Sequence, residues 1–107
     1  MMLDTVQVAD LPDYFKSSYE MVRAAFPEGI NDDNYYPLLF LLSEGMGQRG
    51  LARFMAALTG NPISRVYNDV LGVQSPVPAY KPAPERIEEL KRRLQAHGYD
   101  EWVAEEP

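Results

Sequence analysis

Residues 35–42 are the stretch that most limits what this chain can fold into. They read Tyr-Tyr-Pro-Leu-Leu-Phe-Leu-Leu, and two phenol hydroxyls are their only polar side-chain groups. The rest of the chain has to cover this apolar run, because exposing it to water is unfavourable. Leucine dominates the run, β-branched residues are absent, and proline is disfavoured in a central strand. The sequence therefore predicts a short buried helix around which the other elements pack.

The ends of this central helix are predicted from its flanking residues. Positions 31–34 hold only Asn and Asp, which are good N-cap residues. Pro37 has no backbone N–H and is expected within about the first turn, which places the cap near Asp33. The helix is expected to continue through Leu42 and to stop at Gly45.

A first helix is predicted upstream of the central one. Asp10 is its expected N-cap, and Pro12 is expected in its first turn. It should stop near Ala25, because the residue before Pro27 is biased out of the helical region. Residues 1–9 show neither helical periodicity nor caps, so this end is predicted to be mobile.

Two further helices are predicted near residues 48–59 and 62–72. Each carries apolar residues at the i, i+3, i+4, i+7 spacing of an amphipathic helix. Gly60 is expected to close the first of them and Gly72 the second, while Asn61 is the expected N-cap between them.

Residues 73–84 are rich in proline and are predicted to form a polyproline II strap across the helices, which Tyr80 pins. The last helix is expected to open at Pro84 and to end at Gly98. One face of that helix carries Ile87, Leu90, Leu94 and His97. Its opposite face is predicted to hold two i,i+4 ion pairs, Glu88 with Arg92 and Glu89 with Arg93.

These elements predict one all-α domain spanning residues 1–107, a compact five-helix bundle. Trp102 is expected to dock back on the core, with a mobile end at residues 103–107. The chain shows no signal-peptide pattern, and its apolar run is shorter than the about 20 residues that span a bilayer. A cytoplasmic protein without a membrane segment is therefore expected.

The sequence offers few groups for catalysis or metal binding. It has no cysteine and one histidine, His97, which is expected to be packed or paired with a helix dipole. No catalytic, cofactor or metal residues are predicted, and the chain is not expected to be an enzyme. Gly45, Gly47 and Gly50 match the spacing of a dinucleotide fingerprint with Asp69 downstream. A strand before the glycines and a second strand carrying the acid are missing, so a helix end followed by a flexible joint is favoured.

A helix-turn-helix is the second candidate motif, formed by the helices near 48–59 and 62–72. Arg49, Arg53 and Arg65 could then face DNA. Against this, Asp69 occupies a position that is usually apolar, and the chain carries a net charge of -6. Nucleic acid is therefore disfavoured as a partner, and an ordinary αα-hairpin is favoured over the motif.

Four short motifs resemble a small all-helical family of unknown function, best known from actinobacteria. The motifs are Phe26-Pro27-Glu28-Gly29-Ile30, Tyr36-Pro37-Leu38-Leu39 with Leu41-Leu42, Asn61-Pro62-Ile63, and the helix from Pro84 to Leu94 that ends in His97-Gly98-Tyr99. The family usually has tryptophan where Tyr99 stands. The resemblance implies a compact five-helix fold, no established activity and a role in protein interaction.

The aromatic content and the missing catalytic set favour a non-catalytic protein-interaction module. Its partner would be an unidentified protein or a second copy of the chain. Helix-turn-helix DNA binding stays the alternative.

Overall fold

The computed structural model describes residues 6–105, and helices without any strand make up the regular secondary structure of this part of the chain. Its six α-helices are α1 (Lys16–Ala25), α2 (Asp32–Leu42), α3 (Gln48–Thr59), α4 (Ile63–Gln74), α5 (Pro84–Gln95) and α6 (Tyr99–Ala104). Three 3-10 turns, Val8–Asp10, Asp13–Phe15 and Pro78–Tyr80, complete the described structure. The all-α prediction is confirmed. The predicted number of five helices is wrong by one, because the residues after Gly98 form the short helix α6.

Helix α2 lies at the centre of the fold, as predicted. Leu38, Leu39 and Leu42 have no exposed surface, and α2 packs against α3, α4 and α5. The predicted cap is displaced, however: Asn31 is the N-cap, and its side chain accepts a hydrogen bond from the Asn34 backbone N–H at 3.0 Å. Pro37 therefore lies in the second turn.

The position of Pro37 inside α2 is tolerated for a local reason. The missing N–H leaves the carbonyl four residues earlier without a helical partner. That carbonyl belongs to Asp33, an exposed residue close to the start of the helix. The proline ring itself is buried. The cost of the lost hydrogen bond thus falls at the surface, where water can replace it.

The first helix begins later than predicted. Pro12 is extended, with φ -59° and ψ 157°, and it precedes the turn Asp13–Phe15, which continues into α1. Asp10 does not cap α1; its carboxylate accepts from the Gln7 backbone N–H at 3.3 Å within the turn Val8–Asp10. The predicted end at Ala25 is confirmed.

Helices α3 and α4 form the most extensively packed helix pair. Gly60 ends α3 in the left-handed conformation with φ 78°, which favours glycine, as predicted. Gly72 does not end α4, which runs on to Gln74. Gly72 is buried inside the helix, where the ring of Tyr80 covers it.

The proline-rich segment is a strap interrupted by the turn Pro78–Tyr80, and not a continuous polyproline II stretch. Tyr80 pins it, as expected, because its ring lies on Gly72 and meets Tyr36 edge-on with centroids 5.6 Å apart. The strap is thereby fixed to both α4 and α2.

Helix α5 begins at Pro84 as predicted, but its polar face pairs differently. Arg93 does not pair with Glu89. Its guanidinium donates to the Ala25 carbonyl at 2.7 Å and to the Glu28 carboxylate at 2.8 Å, and it lies 4.3 Å from the Phe26 ring centroid. Arg93 therefore caps the end of α1 and joins it to α5.

The second predicted ion pair of α5 is also absent. Glu89 instead pairs with Arg86 at 3.5 Å, and Glu88 and Arg92 form no ion pair within residues 6–105. His97 is exposed, so the packed position expected for it is wrong, because α5 ends at Gln95 and the chain turns away through Gly98. The alternative expected for His97, pairing with the helix dipole, stays a prediction.

Helix α6 folds the end of the described chain back onto the bundle. Gly98, with φ 96°, provides the left-handed residue that starts it. The Tyr99 hydroxyl donates to the Leu41 carbonyl at 2.9 Å, and Trp102 packs against the core, as expected for that residue.

The predicted mobile ends stay a prediction. Val6 and Val103 pack against the core, and residues 1–5 and 106–107 lie outside the described residues. The described part is compact, with a radius of gyration of 13.1 Å. No helix in it is both long and apolar enough to cross a membrane.

Candidate functional site

A groove of about 620 Å³ lies where the start of α1, the glycine segment before α3 and helix α6 meet. We call it the aromatic groove. It is lined by Tyr14, Phe15, Ser17, Ser18, Gly45, Met46, Gly47, Gly50, Trp102 and Glu105. Its volume falls in the range of about 300–1,000 Å³ that is typical of ligand sites.

Trp102 forms one wall of the aromatic groove and is held at two points. Its indole N–H donates to the Ser18 hydroxyl at 2.7 Å, and Ser18 itself is only 4% exposed. The ring lies over Gly45, where an added Cβ would be 2.6 Å from a ring carbon. Only glycine leaves room for the indole at this position, so Gly45 and Ser18 together fix its orientation.

Phe15 and Tyr14 form the other aromatic part of the lining. Phe15 is buried and stacks on Phe54 of α3 with ring centroids 5.8 Å apart. Tyr14 lies against Phe15, at 4.7 Å between centroids, yet 74% of its surface is exposed. Neighbouring residues therefore differ in role: Phe15 anchors the segment in the core, and Tyr14 stands free at the groove.

Gly47 and Gly50 differ in how closely an aromatic ring of the groove approaches them. Gly50 lies in the first turn of α3, where an added Cβ would be 3.5 Å from Phe15. Gly47 is the N-cap of α3, and an added Cβ there would meet nothing within 4 Å. The predicted flexible joint thus includes a helix start. The Trp102 ring explains the need for glycine at position 45, whereas Gly50 makes only an ordinary contact with Phe15 and Gly47 has open space around it.

The groove lining offers contacts for a ligand but few groups that could catalyse a reaction. Among residues 6–105, Glu105 is the only charged residue in its lining. The Ser18 hydroxyl is engaged by Trp102, and no histidine, lysine or second carboxylate of the described residues lines the groove to act as a base. Within residues 6–105, no group of three or more His, Cys, Asp or Glu side chains is placed to hold a metal ion.

A polar cluster separate from the aromatic groove lies between α2 and α4. Asp69, 8% exposed, accepts a hydrogen bond from the Tyr35 hydroxyl at 2.7 Å. Burial, and then the Asp69 carboxylate, raise the pKa of Tyr35 far above its ordinary value, and burial also raises the pKa of Tyr36. Asp69, which lay at the spacing of a ribose ligand, is thus committed to a partner inside the fold.

The three arginines of the predicted DNA-binding face are all exposed. Arg49, Arg53 and Arg65 form no ion pair within the described residues. Arg49 and Arg53 lie one turn apart on α3, and Arg65 lies on α4. Accessible cationic groups are therefore present on this helix pair.

The geometry of α3 and α4 favours the αα-hairpin over the helix-turn-helix. Gln48 at the start of α3 donates to Gln74 at the end of α4 with 2.6 Å between side-chain atoms. In a helix-turn-helix, crossing at about 90–120° would separate the far ends of two such helices by about 18–25 Å. Two glutamine side chains do not bridge that distance.

Sequence reasoning missed the aromatic groove as a site. Trp102 was expected to dock on the core, but its position beside Tyr14 in one groove depends on the return of α6 to α1, which no local pattern encodes. The available signal was the glycine segment, since glycines that are not needed for a turn often receive a bulky neighbour.

Comparison of the chain with protein-family models, with curated proteins and with solved structures gives no match.

Proposed function

We propose that this chain is a non-catalytic interaction module that binds a protein partner through the aromatic groove. The single observation that carries the proposal is the exposure of Tyr14, 74%, at the edge of a groove whose other aromatic wall is fixed in place. Tyrosine and tryptophan are enriched at the centres of protein interfaces, where their rings bury large area with few rotatable bonds.

The fixed position of Trp102 supports binding in particular. A preformed site binds more tightly than one that has to be ordered, because less conformational entropy is lost on association. The indole is held by Ser18 on one side and by Gly45 beneath it. Tyr14 is the part that would become ordered, and a tyrosine loses little rotamer freedom.

The other exposed apolar side chains support the choice of this surface. Val8 and Leu71 are each 38% exposed and Val77 is 45% exposed, all less than Tyr14. None of the three lines the aromatic groove.

The test uses Trp102 as an intrinsic reporter, because it is the only tryptophan in the sequence. Peptides selected against the chain from a displayed random library should change the Trp102 emission when they bind. Tyr14→Ala and Met46→Ala should weaken binding, whereas Val77→Ala, a matched truncation of an exposed side chain outside the groove, should not. Selected peptides that bind Tyr14→Ala as tightly as the parent chain, or an exhaustive selection without a binder, would refute the proposal.

Duplex DNA binding stays the second candidate, supported by the exposed arginines of α3 and α4. It predicts association that weakens steeply with salt and falls on Arg53→Ala or Arg65→Ala, with Arg23→Ala on α1 as the control. Absence of duplex binding at low salt would end this alternative.

A further inference from the structure

The residues that line the aromatic groove also limit the kind of peptide that the groove can bind. This inference rests on the proposed function. Peptides bind proteins in a few recurring ways: by adding a strand to a sheet edge, as a helix in a groove, as a polyproline II segment, or through phosphate or acidic groups. Each mode requires particular groups on the surface that binds the peptide: a sheet edge, an apolar groove, aromatic rings or arginine side chains.

Strand addition and acidic recognition do not suit this surface. The described residues contain no strand, so they present no sheet edge to extend. Recognition of phosphate or carboxylate uses arginine clusters, and the described residues of the groove lining include no basic residue. The one charge among these lining residues is the Glu105 carboxylate, and the whole chain carries a net charge of -6. Charge complementarity therefore selects a partner with a cationic group.

The hydroxyl groups of the groove distinguish the two remaining modes. Tyr14 and Ser17 line it, and their hydroxyls make no hydrogen bond within residues 6–105. A helical ligand pairs its own backbone carbonyls except in its last turn, so along most of its length only side chains could accept from these hydroxyls. A polyproline II peptide has no internal hydrogen bonds, so its carbonyls are free to accept from them.

The aromatic walls of the groove also favour a polyproline II ligand. Polyproline II ligands dock in grooves lined by aromatic rings, against which proline rings pack flat. Trp102 is fixed, Tyr14 is free to close on a ligand, and the backbone at Gly45 and Gly47 adds no side chain to the groove. We infer that the aromatic groove binds a proline-rich segment in the polyproline II conformation, with an Arg or Lys beside the prolines that pairs with Glu105.

Three synthetic peptides test this inference by titration against Trp102 emission and by calorimetry. The first is proline-rich with one arginine, the second replaces that arginine by glutamate, and the third is an amphipathic leucine-rich helix former. The first should bind at least about tenfold more tightly than the other two, a difference of about 1.4 kcal/mol. Tyr14→Ala should remove that binding, and Glu105→Gln should reduce the preference for arginine over glutamate.

Control measurements separate the failure of the inference from that of the proposed function. Circular dichroism should show that both variants keep the helical fold. If library-selected peptides bind only when Tyr14 is present but contain no proline, the interaction role is supported and the polyproline inference is wrong. If no peptide depends on Tyr14 for binding, both the inference and the proposed function are wrong. A dimer of the chain that covers Tyr14 and excludes the proline-rich peptide would also overturn the inference.

Discussion

The ring of Tyr80 lies so close to Gly72 that an added Cβ would be 2.5 Å from a ring carbon. The two residues belong to the strap and to α4, and glycine at this position lets the strap approach the helix backbone directly. Tyr80 also meets Tyr36 of α2 edge-on. This contact sets where the proline-rich segment lies on the bundle.

Gly72→Ala should destabilise the fold by about 1–3 kcal/mol, because the added methyl displaces the Tyr80 ring. In a Tyr80→Ala background the same change should stabilise by about 0.5–1 kcal/mol, since alanine favours a helix interior over glycine. Urea unfolding of the parent chain, the two single variants and the double variant gives both values. If Gly72→Ala changed the free energy of unfolding in the same direction in both backgrounds, the Tyr80 ring would not occupy the space beside Gly72.

Tyr35→Phe should lower the free energy of unfolding by about 1–3 kcal/mol, because the buried Asp69 carboxylate loses its hydrogen-bond donor. Tyr67→Phe is the matched control: Tyr67 is also half-buried, but its hydroxyl makes no hydrogen bond within the described residues. Chemical denaturation compares the two variants. Equal losses would mean that the Tyr35–Asp69 bond contributes nothing specific.

Stability should fall as the pH rises above about 10, the ordinary pKa of a phenol in the unfolded chain. Burial, followed by the charges of Glu44 and Asp100, raises the pKa of Tyr99 to about 12. Between these values the unfolded state releases a proton that the folded state keeps, so folding weakens by about 1.4 kcal/mol per pH unit for this group.

Removal of that phenol provides the test. Tyr99→Phe should be less stable than the parent chain at pH 8, because the hydrogen bond to Leu41 is lost. Its stability should nevertheless fall less steeply between pH 10 and 12. Parallel pH profiles for the two chains would contradict the raised pKa.

Arg93→Lys should destabilise by about 1–2 kcal/mol although the charge is kept, because an ammonium cannot donate to Ala25 and Glu28 while stacking on Phe26. The guanidinium also holds the pKa of Glu28 below its ordinary value. Arg92→Lys, the same change at an exposed neighbour, should be nearly neutral. Thermal unfolding distinguishes the two, and equal shifts in Tm would argue against the cap.

Gly45→Ala should displace the Trp102 indole and shift its emission, since an added Cβ would come within 2.6 Å of the ring. Gly47→Ala, in the same segment with open space around the position, should leave the emission unchanged. Peptide binding should fall with Gly45→Ala, whereas Gly47→Ala serves as the control for the emission alone, because Gly47 itself lines the groove. An unchanged spectrum for Gly45→Ala would disprove the close approach.

Local signals in the sequence predicted most of the helical framework. Apolar spacing and the glycine at position 60 located α3, and the leucine-rich run identified α2 as the centre. Errors occurred where two signals competed. Pro37 suggested a later cap, but Asn31 offered a side-chain acceptor in the right place, and the carbonyl that the proline leaves unpaired belongs to the exposed residue Asp33.

The site was harder to predict because its residues come from distant parts of the chain. Gly72 reads as a helix end unless the position of Tyr80 is known, and Gly45 reads as a turn unless Trp102 is known to cover it. A glycine shows only that a side chain is absent. Which neighbour fills the space is decided by the tertiary fold.

The pairing of Ser18 with Trp102 joins residues 84 positions apart and also has a kinetic consequence. Contacts between distant residues close late, because a long loop has to be ordered before they form. Helices α3 and α4 can pair early through their short connection, whereas the aromatic groove cannot exist until α6 has docked on α1. During synthesis, the proposed binding surface would therefore be completed only after α6 had emerged, so a chain that lacks α6 could fold its helical hairpin and still present no groove.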